Sequence, residues 1–263
     1  MRISLSAIKH HAKHQIATTK PHGYVVGLVY FLITWLLGIL INQVSGIPAQ
    51  ELNNLIMRSY EMIEQLSIPE FYANYFTSFV ELYRSYSSVW SELIRLAINL
   101  VLFAIGIGFT IFSLNVARLR EAGIGNLLDG FGVFFRALWL NILIGFFTFL
   151  WSLLLIFPGV IASYRYRQAL YIMLDNPKMR AIDCIRASKR MMQGHKKELF
   201  VLDLSFFGWA MLSIFPFVSV WIAPYMQITY ANYYLALLGL QNFSAPGTPG
   251  MNPPDNQTPP QQY

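Results

Sequence analysis

The chain has 263 residues, 55% of them hydrophobic and only 12% charged, with a net charge of +6 and a mean hydropathy of +0.44. That charged fraction is about half the ~25% of a soluble globular domain, which argues against a soluble enzyme. The single cysteine, Cys184, excludes an intramolecular disulfide and a cysteine-based metal cluster.

Residues 1–23 carry Arg2, Lys9, Lys13 and Lys20 and no acid, which places them in the cytoplasm. Leu5, Ile8, Ala12 and Ile16 recur at helical spacing, so this segment reads as a basic amphipathic helix on the inner leaflet. His10 and His14 are four apart, but no carboxylate or cysteine accompanies them and no metal is expected. The apolar run Tyr24–Val44 follows. A helix needs about 20 residues to cross the hydrocarbon core, so this is the first span. It exceeds the ~7–15 residues of a cleaved signal core.

Residues 45–92 hold Arg58 and Arg84 against Glu51, Glu61, Glu64, Glu70, Glu81 and Glu92, a balance that suits the outer side. Leu52, Leu55, Ile56, Ile63 and Leu66 mark one amphipathic helix. After Pro69, Phe71, Tyr72, Tyr75, Phe76, Phe79, Leu82, Tyr83 and Tyr86 mark a second, aromatic enough to rest among headgroups. The pair is expected to pack on the outer ends of the bundle; a cap that recognises a lipid or peptide is the alternative.

Leu93–Leu114 forms the second span, where Gly106 and Gly108 permit close helix approach, and Arg118, Arg120 and Arg136 return the chain inside. Ala137–Ile156 is the third span and ends at the turn dipeptide Pro158-Gly159. The next piece, Gly159–Leu174, should return to the cytoplasm. It reaches only ~24 Å as a helix and contains Arg165 and Arg167, so a short, tilted or partly re-entrant helix is expected.

Residues 175–198 are the densest basic stretch and belong inside. Asn176-Pro177 suits an N-cap and N1 pair, and Gly194 a helix stop. Met179, Ile182, Ile185 and Met192 line one face, leaving Arg186, Lys189 and Arg190 for lipid phosphates or a partner. His195, Lys196 and Lys197 suit headgroup contacts as well. Leu199–Phe215 and Phe217–Leu238, kinked at Pro224, are the last two spans; the alternative is five spans with 225–238 on the outer surface. Residues 242–263 are rich in proline and should be disordered, a candidate for partner recognition.

The fold class is thus all-α: a polytopic transmembrane bundle over 24–241, about six spans with both ends inside. Asp203, Arg165 and Arg167 are the charges at membrane depth, where charge is costly. Arg167 or Arg165 either pairs with Asp203 to lock two helices, or lines a polar cavity that binds an anionic headgroup or relays protons. Asn99, Asn115, Asn141 and Asn232 are candidates for interhelical hydrogen bonds. There is no H-E-x-x-H, P-loop, G-x-S-x-G or acidic metal cluster, so neither catalysis nor a cofactor is expected. The basic residues sit beside apolar spans, which points to anionic headgroups and away from nucleic acid.

Phe157-Pro158-Gly159, Leu174-Asp175-Asn176-Pro177 and Met192-Gln193-Gly194-His195-Lys196 follow one another in order. With the run 199–209 and Pro224-Tyr225, they resemble a bacterial membrane-protein family known as domain of unknown function 975. The chain is more loosely similar to the membrane region of glycerophosphodiester phosphodiesterases, whose catalytic domain it lacks. The resemblance implies a helical bundle in a bacterial cytoplasmic membrane and lipid-related work. The chain departs from the family pattern at Phe215-Pro216-Phe217, where a glycine-containing turn is usual, and at Arg165 and Arg167. The expected role is a non-enzymatic, lipid-contacting scaffold or accessory protein; a transporter of a small amphiphile is the competing class.

Overall fold

The computed structural model describes residues 3–19, 23–45, 47–65, 67–154, 156–213 and 215–244. Arg2, Lys20, Leu66 and the proline-rich stretch from 245 onward lie outside the described residues. The described residues are all helical or connecting. In order the helices are α1 (Leu5–Thr18), α2 (Gly23–Ser45), α3 (Ala49–Gln65), α4 (Ile68–Tyr86), α5 (Val89–Ala117) and α6 (Asn126–Gly132). They continue with α7 (Phe134–Leu154), α8 (Ile156–Tyr166), α9 (Ala169–Asp175), α10 (Ala181–Met191), α11 (Lys196–Leu212) and α12 (Ser219–Ser244). A 3-10 turn, Pro216–Val218, joins the last two.

Three helices among the described residues are long and apolar enough to cross a bilayer: Gly23–Val44, Val89–Ala117 and Phe134–Leu153. These are the first three expected spans, and they mark a membrane protein. The later segments differ from expectation in physical detail. The stretch 159–174 is broken into α8 and α9, neither long enough to span alone. Pro158-Gly159 lies inside the first turn of α8, where a proline costs no helical hydrogen bond. The chain therefore reverses before this dipeptide, and Gly159 serves close packing instead: a Cβ there would collide with Ser152 of α7. Helix α12 continues unbroken through Pro224 to Ser244, two residues beyond the expected start of the tail.

The chain folds as two compact units, one of residues 32–103 and one of residues 1–31 with 104–263. The first holds α3 and α4, the expected amphipathic pair, packed on each other. Glu70 accepts from both the backbone N–H (3.2 Å) and the hydroxyl (2.6 Å) of Ser67 at the start of α4, which holds its carboxyl below the usual range. Leu55 is buried in this unit, whereas Tyr60, Tyr72 and Phe76 are exposed. Arg95, a charge within expected span two, is held by Glu92 and by Tyr83, each at 3.1 Å.

In the second unit the stripe of α1 is real, but its partner is protein. Ala12, Gln15 and Ile16 are buried, and α1 packs along α12. A buried carboxamide needs partners. Gln15 donates to the Ala117 carbonyl (3.1 Å), one of the orphan carbonyls ending α5, and accepts from Asn232 (2.6 Å). Asn232 thus makes the expected interhelical bond, whereas Asn99 bonds back to Arg95 in its own helix.

Glycines set two close approaches. A Cβ at Gly108 would strike the Leu127 carbonyl, and one at Gly130 the Ala104 carbonyl, so α5 and α6 touch backbone to backbone. Gly106, named beside Gly108 on sequence grounds, faces open space. At Gly27 a Cβ would lie 2.7 Å from the Val220 carbonyl oxygen and 2.9 Å from Cγ of Pro224. Pro224 has no N–H to return to that carbonyl, and the bare glycine backbone fits beside it. Gly27→Val should cost about 1–3 kcal/mol from overpacking. A thermal unfolding midpoint unchanged from wild type would show that α2 and α12 do not meet here.

Candidate functional site

The break between α8 and α9 falls at Arg167-Gln168. Breaking a helix exposes carbonyls that need donors. The Ser188 hydroxyl of α10 supplies one, donating to the Arg165 carbonyl at 2.8 Å. The Arg165 guanidinium lies over the Trp151 ring, 5.9 Å from its centroid. Of the two arginines proposed for Asp203, Arg165 is therefore the wrong one.

Arg167 faces a cavity of about 310 Å³ lined by residues of α5, α7, α8, α9 and α12, among them Thr110, Asn141, Gln168, Gln227 and Tyr230. Its Nη2 stands 4.0 Å from Asp203 Oδ1, beyond hydrogen-bond range. The carboxylate of Asp203 is served instead by two tyrosines: Tyr230 donates to Oδ1 at 2.6 Å and Tyr164 to Oδ2 at 3.0 Å. The expected Arg167–Asp203 pair is thus a loose electrostatic one, and Asp203 ties α11 to α8 and α12 through hydroxyls. Arg167 rests over the Tyr230 ring at 5.1 Å with its side chain 48% exposed. A guanidinium carries five N–H donors, so most of its hydrogen-bonding capacity is unspent among the described residues.

Gln168, 2% exposed, lines the same cavity, and its Oε1 is buried with no hydrogen-bond partner among the described residues. Gln227 is anchored by donating to Thr110 at 2.8 Å. A cation with free donors beside carboxamides can hold an anion in the planar, two-pronged manner of arginine. Among the described residues no group of three or more His, Cys, Asp or Glu could hold a metal.

A second charged cluster escaped the sequence reading because its members flank the spans. Asp175, ending α9, accepts from Arg118 (2.6 Å) and from the Tyr234 hydroxyl (2.6 Å). The side chains of Asp175 and Arg118 are only 8% and 14% exposed, and Tyr234 is fully buried. Leu119 ends α5 directly after Arg118. It adopts the left-handed region at φ 56°, and the bonds Leu119 N–H to Val116 (3.0 Å) and Arg120 N–H to Asn115 (2.9 Å) close a Schellman end.

The inner basic segment is less of a surface helix than expected. Helix α10 starts at Ala181, because Asn176 instead ends α9, its Nδ2 donating to the Ile172 carbonyl at 3.0 Å. Gly194 takes φ +81°, as a helix stop should. Cys184, Ile185, Ala187, Ser188 and Met191 are buried against α7, α8, α9 and α12. Arg186, Lys189 and Arg190 are exposed around an open surface pocket of about 460 Å³, with Arg186 3.3 Å from Asp183. His195 is not free for headgroups: its Nδ1 lies 2.9 Å from Glu198, and its carbonyl accepts from Tyr233. Lys196 is half-buried and Lys197 exposed.

Burial pushes the Cys184 thiol above its ordinary range, which lowers its thiolate fraction. Folded protein should resist maleimide at neutral pH and react fully in SDS. Rapid labelling of folded protein would mean that α10 lies on the surface with this face open.

No curated protein and no solved structure matches the chain, and the looser likeness to the glycerophosphodiester phosphodiesterase membrane region is not shown. Arg167, Gln168, Asp175, Asp203 and Tyr230 all fall within one stretch from α7 to α12. That stretch, residues 153–241, matches the family described as "Protein of unknown function (DUF975)", the family that the motifs of this half resemble.

Proposed function

We propose that this is a non-enzymatic, lipid-contacting protein of the bacterial cytoplasmic membrane that holds the anionic head of an amphiphile in the Arg167 cavity. One observation carries the reading: an arginine within an apolar bundle whose nearest carboxylate, at 4.0 Å, is already hydrogen-bonded by two tyrosines. A charge at that depth is expensive, and a ligand anion offsets the expense. In this arrangement α8 with α9, α11 and α12 complete about six crossings with both ends inside. The exposed Arg186, Lys189 and Arg190 then face inner-leaflet headgroups, and the proline-rich tail recruits a protein partner.

The test is native mass spectrometry of the protein in lipid nanodiscs, prepared without delipidation. A stoichiometric anionic amphiphile retained by wild type supports the reading. Its absence, together with a co-purifying protein, would replace it with a scaffold that has no internal ligand.

A transporter of the same class of molecule is the second reading. The break at Arg167-Gln168 favours it, since transport sites are commonly built where helices are discontinuous. Flux of a labelled anionic amphiphile across proteoliposomes separates the two: a binding protein shows none.

A further inference from the structure

On another part of the same unit, α1, α2, α11 and α12 enclose a groove of about 230 Å³ lined by Lys13, Tyr24, Trp209, Trp221, Ile222 and Tyr225. Four of these six side chains are aromatic. Trp209 and Trp221 are 51% and 57% exposed, while Ile222 is buried as the floor. Lys13 is exposed and makes no ion pair among the described residues; Lys9, one turn earlier, is engaged by donating to Ser205 at 2.5 Å and by lying over the Phe206 ring. The groove thus has an apolar, aromatic body and one unspent positive charge.

Two ligand classes suit an aromatic box. A quaternary ammonium would sit over the rings, but Lys13 would repel it. An anionic phospholipid fits both parts: its phosphate meets Lys13, and the start of an acyl chain lies along Trp209, Trp221 and Tyr225. Indole rings favour this level of a bilayer, where one edge is apolar and the other wet.

We infer that this groove is a binding site for a single anionic phospholipid, selected by Lys13. The site is separate from the Arg167 cavity, with which it shares no lining residue, and it does not depend on what that cavity holds.

The experiment uses full-length protein in nanodiscs, with Trp35, Trp90, Trp139 and Trp151 replaced by Phe so that emission comes from Trp209 and Trp221. Phosphatidylglycerol carrying brominated chains, at low fraction in unlabelled phosphatidylcholine, is compared with brominated phosphatidylcholine at the same fraction in phosphatidylglycerol. Quenching should be greater with the brominated anionic lipid. Lys13→Gln should weaken that preference about fivefold, whereas Lys178→Gln, which removes the same charge elsewhere, should leave it intact. Equal quenching by the two lipids, or the same loss in both variants, would overturn the site. If the four-Phe protein does not fold, native mass spectrometry of wild type and Lys13→Gln reads the same difference as one fewer retained phosphatidylglycerol in the variant. An unchanged count would equally overturn it.

Discussion

Asp175→Asn should destabilise the protein by about 3–5 kcal/mol, the largest single stability effect we expect. The variant keeps the shape of the side chain and removes its charge, leaving Arg118 buried at 14% exposure with no compensating anion. The Tyr234 hydroxyl, fully buried, loses its charged acceptor at the same time. Thermal unfolding in detergent reads the effect as a fall in Tm of roughly ten degrees. The triple variant Arg118→Met, Asp175→Leu and Tyr234→Phe should recover most of the loss, because replacing every member of a buried polar cluster by apolar groups is often nearly neutral. An Asp175→Asn protein as stable as wild type would show that water reaches this cluster freely and that it does not hold α5, α9 and α12 together.

Arg167→Gln should abolish stoichiometric retention of the amphiphile, weakening binding by about 100-fold, the cost of truncating one side of a buried charged hydrogen bond. Stability should change little, since Arg167 is half-exposed and bonds no carboxylate within 3.5 Å. Asp203→Asn should act in the opposite direction. It removes a negative charge 4.0 Å from the guanidinium and leaves an amide whose oxygen accepts from one of Tyr164 and Tyr230 and whose NH2 donates to the other. Relief of Coulomb repulsion on the incoming anion should tighten binding by about tenfold. Native mass spectrometry at a series of lipid fractions reads both. Weakening in both variants would mean that Asp203 itself contacts the ligand; no change in either would remove the cavity from consideration as the binding site.

The membrane class, the helical class and the first three long helices follow from the residues alone. Runs such as 24–44 and 93–114 have to satisfy every backbone group internally in lipid, and a helix does this without reference to anything distant. The stripe of α1 was legible for a similar reason: periodicity reports which side of a helix is buried. It does not report what buries it. The stripe of α1 meets α12 where a leaflet was expected, because Gln15 finds the carbonyl of Ala117 and the amide of Asn232.

The site was half legible. Arg167 and Asp203 stood out as charges at depth, but their roles depended on who else reached them. Two tyrosines took the carboxylate, Trp151 took Arg165, and Gln168 became part of a cavity wall. Asp175 and Arg118 lie 57 positions apart, and nothing in the sequence pairs them, since a charge near a span end is ordinarily solvated. Local pattern thus determines which segments are helical and apolar, because burial of backbone and side chain in lipid is a local cost. Which donor serves which acceptor is decided only when distant helices pack, because a hydrogen bond is satisfied by position in space and not by distance along the chain.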